Sequence, residues 1–234
     1  MKKLKCLAVI PARSGSKGLL NKNIRLLNSK PLINFTIEAA MNSHCIDKVV
    51  VSTDSEEISC IAKSAGAEVP FVRPVELSTD EATSIDVVKH AVSYYEKVEN
   101  TSFEYIMLLQ PTSPLRNAHD VDKAYEIFIN TEADSLQSIT ASNTHPYLLR
   151  EWSAGKLKPY LKEQVNNLRR QDLSELYILN GAIYIVKRDL IMINNTITGS
   201  NNQGYLMPQD RSVDIDNELD LRWAEFLIRS SNSA

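Results

Sequence analysis

The chain has 234 residues, 43% of them hydrophobic and 24% charged, with a formal net charge of −3. That length suits one large domain with a sizeable core, and the near-balanced charge argues against nucleic acid or an anionic membrane as partner. No apolar run approaches a membrane span, and three widely spaced cysteines (Cys6, Cys45, Cys60) argue against a disulfide framework or a zinc site.

The N-terminus is basic, but its apolar stretch is short and runs into Pro11 and Arg13, so a secretory leader is not expected and a cytoplasmic protein is. Leu7 to Ile10 reads as a buried strand, Leu32 to Met41 as a helix behind Pro31, Lys48 to Ser52 as a strand, and Glu56 to Ala65 as a helix closed by Gly66. A short strand is expected over Glu68 to Val72, and a helix from Asp86 with Val87, Val88, Ala91, Val92 and Tyr95 on one face. Next come a strand at Tyr105 to Leu109, a helix at Ala118 to Asn130, and a strand at Ser135 to Ile139. The β-α rhythm breaks over 140–180, which reads as an inserted arm, and returns with a strand at Gly181 to Val186 and a last helix at Glu218 to Ile228. Such alternation predicts an α/β fold with a mostly parallel sheet flanked by helices, whose ligands bind beyond the carboxyl ends of the strands.

The loop after the first strand, Pro11 to Arg25, carries Arg13, Lys17, Lys22 and Arg25, and the first acidic residue of the chain is Glu38. Glycine and unpaired cations at a strand end suit a polyphosphate. The loop matches neither G-x-x-x-x-G-K-[ST] nor G-x-G-x-x-G, and Ser14-Gly-Ser-Lys17 lacks the partner motifs of serine acyl transfer. Near the C-terminus, Asp214 and Asp216 are two apart, so on an extended segment both carboxylates face one way and suit Mg²⁺; the competing reading makes Asp216 a helix N-cap. Gln110-Pro-Thr-Ser-Pro-Leu-Arg116 offers uncharged hydrogen-bonding groups at a strand end. Arg169, Arg170 and Gln171 add cations and an amide in the arm, and Leu77 to Ser84 is a polar link suited to capping a helix or lining a nucleoside pocket.

These blocks in this order resemble the acylneuraminate cytidylyltransferases, the CMP-sialic acid synthetase family. The matching text is Ala12 to Gly18 with Lys22 and Asn23, Val51 to Asp54, Arg73-Pro74, Gln110 to Arg116, Arg170-Gln171, Asn180 to Ile185, and Asp214 to Asp216. The resemblance implies a Rossmann-like nucleotide-diphospho-sugar transferase fold. It implies a homodimer whose small lobe, residues 140–180, reaches over the partner's site, and transfer of CMP from CTP to a nine-carbon α-keto acid sugar. By position, Ala12, Arg13, Lys17, Lys22, Asn23, Arg73 and Ser84 would contact CTP, and Gln110, Arg170 and Gln171 would face the sugar. Asp214 and Asp216 would hold Mg²⁺, with Lys22, Arg13 and Asp216 catalytic; whether Asp214 instead accepts the sugar proton stays open. Relatives acting on sialic acid often place basic residues near Leu148 and Ile178. Apolar residues there imply a less hydroxylated acid of the legionaminic type. The alternatives are a Kdo-type sugar nucleotidyltransferase and a nucleotide-binding module without turnover.

Overall fold

The computed structural model describes residues 5–16, 18–161, 169 and 173–231. A six-stranded sheet carries the fold: β1 (Cys6–Pro11), β4 (Lys48–Ser52), β5 (Tyr105–Leu108), β6 (Ser135–Ala141), β9 (Tyr177–Lys187) and β10 (Asn202–Leu206), in the order β10-β6-β9-β5-β1-β4. The β1–β4, β1–β5 and β6–β10 pairs are parallel, and β9 is antiparallel to both of its neighbours, so a single strand runs against the rest. Two small hairpins stand apart, β2 (Leu26–Leu27) with β3 (Lys30–Pro31) and β7 (Arg150–Ser153) with β8 (Lys156–Pro159).

The pleat of β1 explains the layers. Cys6, Ala8 and Ile10 enter one core with Ile33 and Ile37 of α1 (Leu32–Met41), Ile58 of α2 (Glu56–Ser64) and Val121 and Phe128 of α4 (Ala118–Asn130). Leu7 and Val9 enter a second core on the opposite face, against Val88, Val92 and Tyr95 of α3 (Ser84–Lys97) and Ile191 of α5 (Arg188–Met192). A strand buried on both faces reads as a continuous apolar run, and each such side chain stabilises the fold by about 1.5–3 kcal/mol. Helix starts are set by local chemistry: Ser55 caps α2, Thr83 caps α3, and Asn117 with Asp120 forms a reciprocal capping box on α4.

A third, smaller cluster joins what the chain separates. Leu19 of the glycine loop, Leu27, Leu32, Val213, Ile215 and, from α6 (Glu218–Ser231), Leu221 and Ala224 pack together. It sets the N-terminal basic loop against the C-terminal acidic segment.

One expectation needs correction. Glu68 to Val72 forms only a single bridge, Val50 to Glu68. The Glu68 backbone pairs with Val49 and Val51, but Pro70 has no N–H to continue the ladder. Within 140–180, β6 runs through Ala141, β9 begins at Tyr177, and the β7–β8 hairpin lies between. Strand β10 was missed because its sequence, Asn-Gln-Gly-Tyr-Leu, is mostly polar at a sheet edge. Within β9, Gly181 adopts φ +72°, and the β6–β9 register shifts between Gln137 and Ile139.

Candidate active site

A cavity of about 430 Å³ opens beyond the carboxyl ends of β1 and β5. Pro11, Arg13, Gly18, Lys22 and Asn23 form one wall, Asp214 and Asp216 another, with Arg73, Thr79, Asp80 and Ser84 on a third side and Gln110 and Thr112 at the base. The fold thus gathers, from five separate stretches of chain, most of the residues singled out in the sequence.

The basic wall is fixed from below. Ala12 is fully buried and its amide donates to the Ser52 carbonyl at 2.9 Å, so it anchors the loop and does not line the cavity. The nearly buried Asn23 donates through Nδ2 to the Arg13 carbonyl at 2.9 Å. Ser14 donates through its amide and its hydroxyl to Asp54 at 2.9 and 2.7 Å, which commits that hydroxyl to loop structure. Burial raises the Asp54 carboxyl, but the two Ser14 bonds and the Arg73 charge outweigh it and hold the group below its usual range. Lys17 lies outside the described residues.

Arg73 is 4% exposed and yet lines the cavity. Its guanidinium donates to the Ser52 hydroxyl at 3.1 Å and to the Ser52 carbonyl. Burial lowers its pKa to about 10, Asp54 opposing and Arg13 adding to the drop. A desolvated cation aimed into a cavity is a standing invitation to an anion. Ser84 opens α3 with its peptide N–H groups at the same rim.

The acidic wall resolves the competing readings of Asp216. Val213 and Ile215 are buried in the third cluster, so the alternation turns Asp214 and Asp216 together toward the cavity. The cap of α6 is Asn217, whose Oδ1 accepts the Leu219 and Asp220 amides, while Asp220 accepts the Asp216 and Asn217 amides. Asp216 is thereby released from capping, and its Oδ1 lies 3.1 Å from Lys22 Nζ. Burial, with Asp216 and Asp220 adding, pushes the Asp214 carboxyl above its usual range against the pull of Thr112 and Lys22. Two crowded carboxylates facing a cationic wall suit a hard divalent cation that takes its other ligands from phosphate and water. Among the described residues no group of three or more His, Cys, Asp or Glu side chains forms a closed protein cage, and Mg²⁺ needs none.

Two glycines serve contact. A Cβ on Gly18 would lie 2.3 Å from the Asp216 carbonyl oxygen, so the basic loop presses directly on the acidic segment. A Cβ on Gly181 would lie 2.8 Å from Gln110 Oε1. Gln110 is further tied to β9 through Arg116, fully buried, whose Nη1 donates to the Gln110 and Ala182 carbonyls at 3.3 and 2.7 Å. Thr112 holds the acidic segment by accepting the Ile215 amide at 2.8 Å. Arg170 and Gln171 lie outside the described residues.

Asp54 and Arg116, which the sequence marks only as motif ends with no role, and Asp80, not singled out at all, carry site geometry. Nothing local marks Asp80, one acid in a polar link. The fully buried Asp120 was read only as part of a helix, yet it accepts the Arg211 fork at 3.1 and 2.7 Å and so pins the turn leading into Asp214.

The sheet order is that of a Rossmann-like α/β fold, with a cationic loop facing two carboxylates at the strand ends, and the family it belongs to makes it a nucleotidyltransferase. The chain belongs to the cytidylyltransferase family, whose model matches residues 7–221. It is 37% identical to post-translational flagellin modification protein B of Campylobacter coli, over 97% of this chain and 96% of that one. It is 36% identical to CMP-N,N'-diacetyllegionaminic acid synthase of Legionella pneumophila, over 99% of both. It is also 37% identical to N-acylneuraminate cytidylyltransferase of Escherichia coli, over 97% of this chain but 53% of that one, so it spans about half of that relative. In fold it matches CMP:2-keto-3-deoxy-manno-octonic acid synthetase complexed with CTP, with a TM-score of 0.72 at 16% identity over 97% and 99% of the chains. Among the described residues no helix is long and apolar enough to cross a membrane.

Proposed function

We propose that the protein activates a nonulosonic acid, a nine-carbon α-keto acid sugar, with CTP to give the CMP-sugar and pyrophosphate. The observation that carries this is the single cavity in which Arg13, Lys22 and Arg73 face Asp214 and Asp216; the relatives supply the substrate class.

The sugar's anomeric hydroxyl attacks the α-phosphorus, a new P–O bond forms, the bond to pyrophosphate breaks, and the hydroxyl proton passes to Asp214 or to solvent water. Positioning and charge neutralisation dominate such a step. Arg13, Lys17 and Lys22 neutralise the charge that gathers on the leaving pyrophosphate, and Arg73 and Ser84 hold the nucleotide. Gln110, with Arg170 and Gln171 from the arm, orients the sugar and its carboxylate. Asp214 and Asp216 would hold Mg²⁺, which when bound supplies further neutralisation of the triphosphate.

The arm supports a homodimer. Trp152, Leu157 and Tyr160 on the hairpin and Tyr177, Ile178 and Leu179 at the outer end of β9 are large apolar side chains in solvent. Sedimentation should return twice the chain mass, and Trp152→Glu should return the monomer. Apolar Leu148 and Ile178 support an acid with a deoxygenated C9 end. A CTP-dependent step, with three free cysteines, fits the cytoplasm.

Pyrophosphate release from CTP, measured with Mg²⁺ over a panel of nonulosonic acids, tests the reading. Release with legionaminic-type acids is expected. Preference for N-acetylneuraminic acid would overturn the sugar assignment alone; CTP binding without release for any acid would favour a binding module.

A further inference from the structure

Arg13 is held across the cavity by a carboxylate of the protein itself. Its Nη2 lies 2.5 Å from Asp80 Oδ1, and its Nη1 lies 3.5 Å from the Ser78 carbonyl. Both side chains border the cavity and both are partly exposed, at 29% and 42%. Asp80 sits in the connection between the single turn Val75–Leu77 and α3. That connection is tied at its two ends, by Ser78 Oγ donating to the Pro74 carbonyl at 3.1 Å and by Thr83 capping α3 through the Asp86 amide. Asp80 therefore stands between fixed points, on the same side of the cavity as Arg73 and Ser84.

The pair has the wrong sign for a polyanion site. A carboxylate among Arg13, Lys22 and Arg73 opposes the ligand those cations attract, and it occupies the donors a phosphate would use. Lys22 repeats the pattern with Asp216, but Asp216 is accounted for as a metal ligand and Asp80 is not.

We infer that Asp80 is a positioning residue that stands in for a phosphate on Arg13, and that the triphosphate must displace it. The inference rests on the CTP reading of the cavity. With no polyphosphate bound, the carboxylate keeps the guanidinium aimed into the cavity. With one bound, it competes for the same donors, weakening both the entering triphosphate and the leaving pyrophosphate. CMP, which carries only the α-phosphate, does not reach this pair. Asp80 thus trades tight nucleotide binding for release of pyrophosphate.

Calorimetry on the full chain without sugar, using CTP, pyrophosphate and CMP as separate ligands, tests this. In Asp80→Asn the affinities for CTP and pyrophosphate should rise about two- to fivefold, the span of partly exposed ion pairs, with CMP unchanged. Asp80→Ser should behave alike, and both should melt with the parent because the side chain lies in an exposed link. In an Arg13→Gln background, the gain from Asp80→Asn should shrink. Unchanged or weaker binding of CTP and pyrophosphate, or an equal gain for CMP, overturns the inference while leaving the proposed function intact. A parent protein that binds none of the three overturns both.

Discussion

Lys22 and Asp216, 194 positions apart in the chain, meet at 3.1 Å between Nζ and Oδ1. Their contact closes the cavity between the basic and acidic walls, and it depends on Gly18 giving way beneath the Asp216 carbonyl. The Asp216 side chain is 73% exposed, so water screens the pair and it contributes little to stability.

Replacing either member should therefore affect chemistry and not folding. Lys22→Met and Asp216→Ala should each lower kcat by about 10²–10³, the usual cost of removing one charge-stabilising group from a transition state. Circular dichroism and melting should match the parent. A fully active Asp216→Ala enzyme would remove it from the mechanism.

Asp214 should carry a stability cost at neutral pH. Its folded carboxyl titrates above the ordinary value, chiefly from burial, so the native state binds the proton more tightly than the unfolded chain. Stability from this group is then lost as pH rises through the folded value. Asp214→Asn, neutral throughout, should melt about 2 °C higher in chelator-containing buffer at pH 7, and the gap should close as pH falls below about 4. The same variant should lose most of its pyrophosphate release.

Gly181→Ala tests the link between β9 and Gln110. The left-handed backbone costs an alanine about 1–2 kcal/mol, and its methyl would press on Gln110 Oε1. Melting should fall by about 2–8 °C, and KM for the acidic sugar should rise while calorimetric CTP affinity holds. An unchanged sugar KM would mean that Gln110 does not face the sugar.

Arg211→Met removes the fork from the fully buried Asp120, leaving it the Tyr205 hydroxyl at 2.9 Å, the Asn117 amide at 3.1 Å and the charge of the buried Arg116. Breaking a buried pair from one side costs about 3–5 kcal/mol, reduced here to about 2–3 because Arg211 is a third exposed. Melting should fall by about 4–10 °C.

Strands and helices were legible wherever one side of an element was consistently apolar. Leu32–Met41 and Ala118–Asn130 lie where their patterns place them. The strand expected at Glu68 stops after one bridge because Pro70 has no N–H to pair, and β10 escaped because edge pairing needs no apolar signal. The reversed direction of β9 had no sequence signature either; it follows from its pairing with β5 and β6.

Within the site, residue type and spacing alone pointed to a polyphosphate loop and to a carboxylate pair, because charge without a local partner and i, i+2 alternation are properties of the chain itself. Whether Asp216 caps a helix or faces the loop was a tertiary matter, decided by Asn217 taking the cap and by Val213 and Ile215 burying beside Leu19 and Leu221. The pairing of Arg13 with Asp80 and the burial of Arg73 also belong to the fold. Desolvation and ion pairing depend on distances between segments far apart in sequence, and those distances exist only once the cores on both faces of the sheet have packed.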